Sequence, residues 1–147
     1  MRAALVEHPL NIASLTDEVS SPACGATSVF LGTVRNINEG REVTGIEYTS
    51  YSAMAIAELG RIVKEAAERF STERIVVEHR IGALTLGDAS VAIAVAHERR
   101  APAMDASRYI IEQIKKRVPI WKREHYADGT REWVDPTRLP DAVEQTP

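Results

Sequence analysis

The chain has 147 residues, 44% of them hydrophobic, and a net charge of −3. Roughly 150 residues is the usual size of one domain and buries an ordinary core, so pervasive disorder and a second full domain are excluded. One cysteine, Cys24, excludes an internal disulfide framework and any multi-thiolate zinc or iron–sulfur site within one chain, and it fits a reducing, cytoplasmic setting.

The opening MRAALVEHPLNIAS supplies a short strand from Ala3 to Glu7, and Glu7, His8 and Pro9 break it before a signal-peptide core could form. No apolar run approaches the ~18–20 residues that span a bilayer. Asn11 caps a short helix to Val19, which Ser20-Ser21-Pro22 ends. Thr27, Val29, Phe30, Thr33 and Val34 make Ala26 to Val34 a strand, closed by the turn-rich RNINEG from Arg35 to Gly40. Glu42 to Tyr51 alternates as a half-buried strand does, and the two are expected to pair as a hairpin. Ser52 is placed as N-cap of a helix whose inward face is Ala55, Leu59, Ile62, Val63, Ala66 and Phe70. Ile75 to Ile81 and Ser90 to His97 are strands joined by the Gly82 to Gly87 connection. The second of these, containing VAIAVA, reads as central and covered on both faces. A further helix turns Met104, Ile111 and Ile114 inward and stops before Pro119. Ile120 to Tyr126 is a strand, Asp128-Gly129 turns the chain, and Arg131 to Val134 returns. The predicted single domain is 1–134. Residues 135–147, with Pro136, Pro140 and Pro147, read as an irregular tail unless a partner orders it.

Strands joined mostly by short turns predict an α+β fold rather than a doubly wound sheet. Gly82 to Gly87 lacks both the GxGxxG spacing and the Lys-Ser/Thr of a phosphate loop, so it implies no nucleotide cofactor. Neither HExxH nor a carboxylate cluster suggests a metal.

Charge is unevenly distributed. Residues 99–124 hold eight Lys/Arg against three acids, a net +5 within a chain of net −3. Such a segment suits a small anion or an acidic tail held in one place. Glu112 and Lys116 form an i, i+4 pair expected at the helix surface. Lys115, by contrast, follows Ile111, Arg108 and Met104 along one stripe and has no acid one turn before it. Lys122 shares a strand face with Ile120 and Glu124, while Trp121, Arg123 and His125 point the other way. Each lysine by itself reads as a snorkelling or surface side chain. Their company changes that reading: Arg99 and Arg100 follow one strand end and Arg35 another, where loops on a rigid scaffold carry function. Arginine forks bind phosphate, and a desolvated lysine serves as acid, base or nucleophile near neutral pH. Cys24 reads as a packed thiol, His79 and His97 as hydrogen-bonded structural histidines, and Trp121 and Trp133 as core side chains.

The strings FLGTVRNINEG, IEYTSYSAMA, HRIGALTLGD and IKKRVPIWKRE followed by DGTREWV resemble the catalytic (large) subunit family of molybdopterin synthase. The resemblance runs in order from about Gly25 to Val134, and the lysine-to-PxWK segment is its most specific part. It implies an α/β hammerhead fold and a cytoplasmic heterotetramer, in which a homodimer of this subunit binds two small ubiquitin-like sulfur-carrier subunits. Each carrier would insert its C-terminal Gly-Gly tail as a thiocarboxylate. The implied substrate is cyclic pyranopterin monophosphate, which receives two sulfurs in sequence to form the dithiolene of molybdopterin. No cofactor, nucleic acid or membrane is implied.

By the resemblance, Lys115 and Lys122 match the family's essential lysines and take the catalytic role. Arg35 matches the basic residue of its VRN turn, and Arg100 the second residue of its usual His-Arg pair. Arg99 stands where that histidine is usual; an arginine stays charged, so anion binding suits it better than proton donation. Thr33 and Val34 lead into the site, Arg123 and Glu124 follow the second lysine, and Phe30 and Ile111 are expected to line the pocket. Two other functions fit the residues less closely. A non-catalytic module gripping the tail of a ubiquitin-like protein would keep the basic pocket. A nucleic-acid binder is disfavoured by the net charge, few aromatics and lack of a motif.

Overall fold

Period-two alternation and three amphipathic stretches produce nine strands and three helices among the described residues, 1–134 of the computed structural model. In chain order these are β1 (Arg2–Val6), α1 (Ile12–Val19), β2 (Ala26–Thr33), β3 (Ile37–Asn38), β4 (Arg41–Ser50) and α2 (Ser52–Phe70). Then come β5 (Ile75–Arg80), β6 (Gly82–Thr85), β7 (Ala89–His97), α3 (Arg100–Arg117), β8 (Ile120–Tyr126) and β9 (Arg131–Val134). The tail expected to be irregular lies outside the described residues.

The first sheet has the order β1-β5-β7-β2, with β1 parallel to β5 and the other pairs antiparallel. Strand β7 lies between β5 and β2, as its uninterrupted apolar sequence requires: a strand covered on both faces must have both edges paired. Its alternate residues serve two cores. Val91, Ile93 and Val95 face Leu59, Ile62 and Val63 of α2 and Ile110 of α3. Ala92, Ala94 and Ala96 face Leu15 and Val19 of α1, with Cys24 packed alongside. Each fully buried Leu, Ile or Val contributes about 1.5–3 kcal/mol relative to exposure. In the second sheet β4 is central, with β8 along one edge, β3 and β6 on the other, and β9 beyond β8. Arg117 ties the end of α3 to α2, donating from its two terminal nitrogens to Glu65 at 2.7 and 2.8 Å.

Several expectations are corrected. Strands β2 and β4 form no hairpin: β2 closes the free edge of β7, and β4 pairs with β8. The Gly82 to Gly87 connection contains strand β6, and the turn after Arg35 contains β3. Tyr51 is the N-cap of α2; Ser52 is already helical, with its hydroxyl 3.2 Å from that of Ser50. The buried stripe of α3 is Ala103, Ala106, Ser107, Ile110 and Ile114. That phase leaves Met104 61% exposed rather than inward. Glu112 pairs with Arg108 at 3.3 Å instead of with Lys116. Trp133 is 54% exposed and not a core residue, because it lies on the outer face of β9 under Arg123.

Candidate active site

Pro119 stops α3 and starts β8, so the chain doubles back and the two elements face one another across a cavity. Strand periodicity turns Ile120, Lys122 and Glu124 inward. Helix periodicity brings Ile111 and Lys115 to the opposite wall, and β2 supplies Phe30 and Thr33. Gly32 is needed in that wall, since a Cβ there would meet Val91 Cγ1 at 2.7 Å. Arg35, just past the end of β2, completes the rim. The enclosed volume is about 150 Å³, room for a small ligand or an extended peptide end rather than one water.

Two lysines and one arginine thus converge, and their environments differ. Lys122 Nζ lies 3.3 Å from Glu124 Oε1, with the two side chains only 16% and 2% exposed. Glu124 also accepts from Asn38 Nδ2 at 2.9 and 2.8 Å and from the Tyr126 hydroxyl at 3.0 Å. Burial, and then this carboxylate, push the Tyr126 phenol up to about 12. Lys115 has no acid at ion-pair distance among the described residues. Desolvation, then the charges of Lys122 and Arg35, hold its ammonium below the usual lysine range. The residue keeps more than a third of its surface in solvent, so water still reaches part of it. Beneath them, burial pushes His79 down to about 4, leaving a neutral imidazole. Its Nδ1 is 2.9 Å from the Arg80 carbonyl, which can only accept, so Nδ1 carries the proton.

The residues singled out in the sequence separate into two groups. Phe30, Thr33, Arg35, Ile111, Lys115, Lys122 and Glu124 meet in the cavity. Val34 does not line it and is buried against Val43, Ile46 and Leu84. Arg123 is on the other face of β8, donating to Glu47 at 2.6 Å with its guanidinium over Trp133. Arg99 and Arg100 lie outside this cavity. Strand β7 runs from Ser90, which lines the cavity, to His97, roughly 23 Å away at 3.3 Å per residue. Helix α3 returns from Arg100 to Lys115 over roughly 22 Å at 1.5 Å per residue. His97 Nδ1 accepts from the Arg99 backbone N–H at 3.0 Å, a structural role as expected.

Three contributors were not singled out as site residues. Tyr48 had a usable signal, since it alternates with Ile46, and it pairs across strands with Lys122. His79 lines the cavity although it reads as a core histidine. Asn38 had no local signal at all.

The MoaE protein family model matches residues 5–117. The molybdopterin synthase catalytic subunit of Halalkalibacterium halodurans is 43% identical over 133 residues, covering 90% of this chain and 85% of the relative. That of Neosartorya fischeri is 41% identical over 124 residues, covering 84% of this chain and 66% of the relative. Among solved structures, molybdopterin synthase from Staphylococcus aureus superposes with a TM-score of 0.82 at 34% identity, covering 88% of this chain and 93% of that one. The chain therefore belongs to the MoaE protein family, that of the molybdopterin synthase catalytic subunits.

Proposed function

We propose that this chain is a sulfurtransferase that moves sulfur from the C-terminal thiocarboxylate of a small ubiquitin-like carrier subunit to cyclic pyranopterin monophosphate. The product is the dithiolene of molybdopterin. The observation that carries this reading is the convergence of Lys115, Lys122 and Arg35 on one small cavity. Family membership supports it.

Both reactants are anionic at the reacting end, and a cavity walled by Phe30, Ile111 and Ile120 but rimmed by three cations suits them. A Gly-Gly tail has no side chains and can thread extended into a narrow space. Arg35 presents a fork to the substrate phosphate. Lys115, its ammonium held below the usual lysine range by desolvation and by the charges of Lys122 and Arg35, is the group suited to exchanging a proton. Lys122, held against Glu124, polarises the thiocarboxylate as sulfur leaves it. Two transfers with a mono-sulfurated intermediate, and opening of the cyclic phosphate, complete the reaction.

Arg99 and Arg100 bind phosphate in this reading only if they come from a second copy, because both lie some 20 Å along the fold from the cavity of their own chain. A homodimer within a heterotetramer accommodates that. The outer edge of β2 is unpaired among the described residues, with Val29 and Leu31 each 40% exposed, a surface that a second subunit would cover. The cytoplasm is the compartment proposed; no helix among the described residues is long and apolar enough to cross a membrane.

The test is reconstitution from purified chain, carrier and cyclic pyranopterin monophosphate, with product identified by mass. Dithiolene should form with thiocarboxylated carrier and not with carrier ending in a plain carboxylate. Tight carrier binding without product would mean a module that only captures a ubiquitin-like tail.

A further inference from the structure

We propose that Asn38 is a positioning residue for Lys122, acting through the buried carboxylate of Glu124; this rests on the sulfur-transfer reading of the same cavity. Glu124 is 1% exposed, among the most buried large side chains of the described residues. A carboxylate so placed needs a cation and donors on its lone pairs. Lys122 is the cation. Asn38 Nδ2 reaches both oxygens, at 2.9 and 2.8 Å, and so fixes the plane and rotation of the carboxylate.

The orientation of the amide is forced. Both atoms it faces are acceptors, so a flipped Asn38 would set its carbonyl against the carboxylate. The consequence is that Asn38 Oδ1 is buried with no hydrogen-bond partner among the described residues. Buried polar groups are seldom left unmatched. Here one end of the amide goes unsatisfied while the other holds Glu124, the arrangement expected where placement of the carboxylate is what matters.

Asn38 also joins two parts of the site that are distant in sequence. It lies in β3, in the same turn that carries Arg35, and that turn is bent back by Glu39 and Gly40 at φ 51° and 79°. Its bonds to Glu124 fasten this turn onto β8, 86 positions along the chain. Asn38 therefore sets the spacing of Arg35 and Lys122 together. The titratable or charged groups facing Lys122 are Glu124 and Tyr126 on β8, Tyr48 on β4, His79 on β5, Lys115 on α3 and Arg35 on the turn. Of these, only Glu124 contacts both the lysine and Asn38.

The experiment compares wild type, Asn38→Ala, Glu124→Gln and the double variant in two assays. The first is kcat and KM in the reconstituted synthase. Asn38→Ala should lower kcat about 10- to 100-fold with little change in KM, the size of effect a misplaced catalytic group produces. Added to Glu124→Gln, it should cost little more, because both act on one chain of contacts. The second is the rate at which a lysine-directed reagent labels Lys122 relative to Lys116, read by mass spectrometry without turnover. With the Glu124 carboxylate no longer fixed in orientation, Lys122 should label several-fold faster in Asn38→Ala. Unchanged Lys122 labelling, a loss confined to KM, or losses that multiply fully in the double variant would each overturn the proposal. If Lys122 labelling shifts while wild type makes no product, the positioning role stands and the sulfur-transfer reading falls. Should Asn38→Ala fail to fold, Asn38→Asp carries the test. It keeps the shape but donates to Glu124 only when protonated, so its kcat should recover as pH falls; a pH profile like that of wild type would overturn the proposal.

Discussion

Glu124→Leu should be the most damaging single change near the site, and the structure gives its size. The substitution leaves the Lys122 ammonium, 16% exposed, without the carboxylate 3.3 Å away. Breaking a buried ion pair by removing one partner costs about 3–5 kcal/mol. Asn38 Nδ2 loses both of its acceptors, whereas the Tyr126 hydroxyl can still turn to Glu132 Oε2 at 3.5 Å. At about 4 °C per kcal/mol for a domain of this length, the melting temperature should fall by about 12–20 °C. The double variant Lys122→Met/Glu124→Leu removes both charges with little change in volume and should recover most of that loss. Urea unfolding followed by circular dichroism and tryptophan fluorescence measures all three proteins. A loss below about 1 kcal/mol in Glu124→Leu, or a double variant no better than that single one, would refute the assignment of Glu124 as a desolvated partner of Lys122.

His79 should make the fold acid-labile. Its folded pKa of about 4 lies below the ordinary 6.5. Its stability contribution is therefore intact above pH 6.5 and is lost as pH falls toward 4, by up to about 3 kcal/mol. Melting temperatures of wild type between pH 7.5 and 4.5 should fall more steeply than those of His79→Leu; parallel slopes would contradict the buried neutral imidazole. Mixed dimers test the origin of the phosphate ligands. Lys115→Ala and Arg100→Ala subunits, each inactive alone, should regain activity when combined, because one of the two cavities then has both groups. Failure to complement would place Arg100 outside the active site.

How far the sequence revealed the site follows from the distance over which each residue acts. Lys115 was legible because its surroundings are set by Ile111, one turn away, and Lys122 because strand alternation puts it with Ile120 and Glu124. The buried β7 and the β8–β9 hairpin were legible for the same local reason. The pairing of β2 was not: local turn chemistry favoured β4, and the unmet edge of β7, some sixty residues on, decided otherwise. Asn38 had no local sign of importance, since its partner lies 86 positions away. The positions of Arg99 and Arg100 show the limit of reasoning from loop ends. Both follow a strand as Arg35 does, yet β7 and β2 run antiparallel, so the two strands finish at opposite ends of the sheet. The phase of α3 slipped at Met104 because an alanine-rich stripe carries less periodic signal than a leucine-rich one. The family resemblance added what no local pattern contains, the identity of the proposed reactants.

The central claim is that Lys115 and Lys122 perform chemistry and do not merely hold the carrier. The most direct measurement is single-turnover product formation by wild type, Lys115→Ala and Lys122→Ala, with carrier affinity measured on the same samples. Carrier affinity should stay within about threefold of wild type for both variants, while the rate falls by about 10²–10⁴-fold in Lys115→Ala, the usual worth of a proton-transfer group. Rates near wild type in both variants, or losses fully explained by weaker carrier binding, would contradict the account.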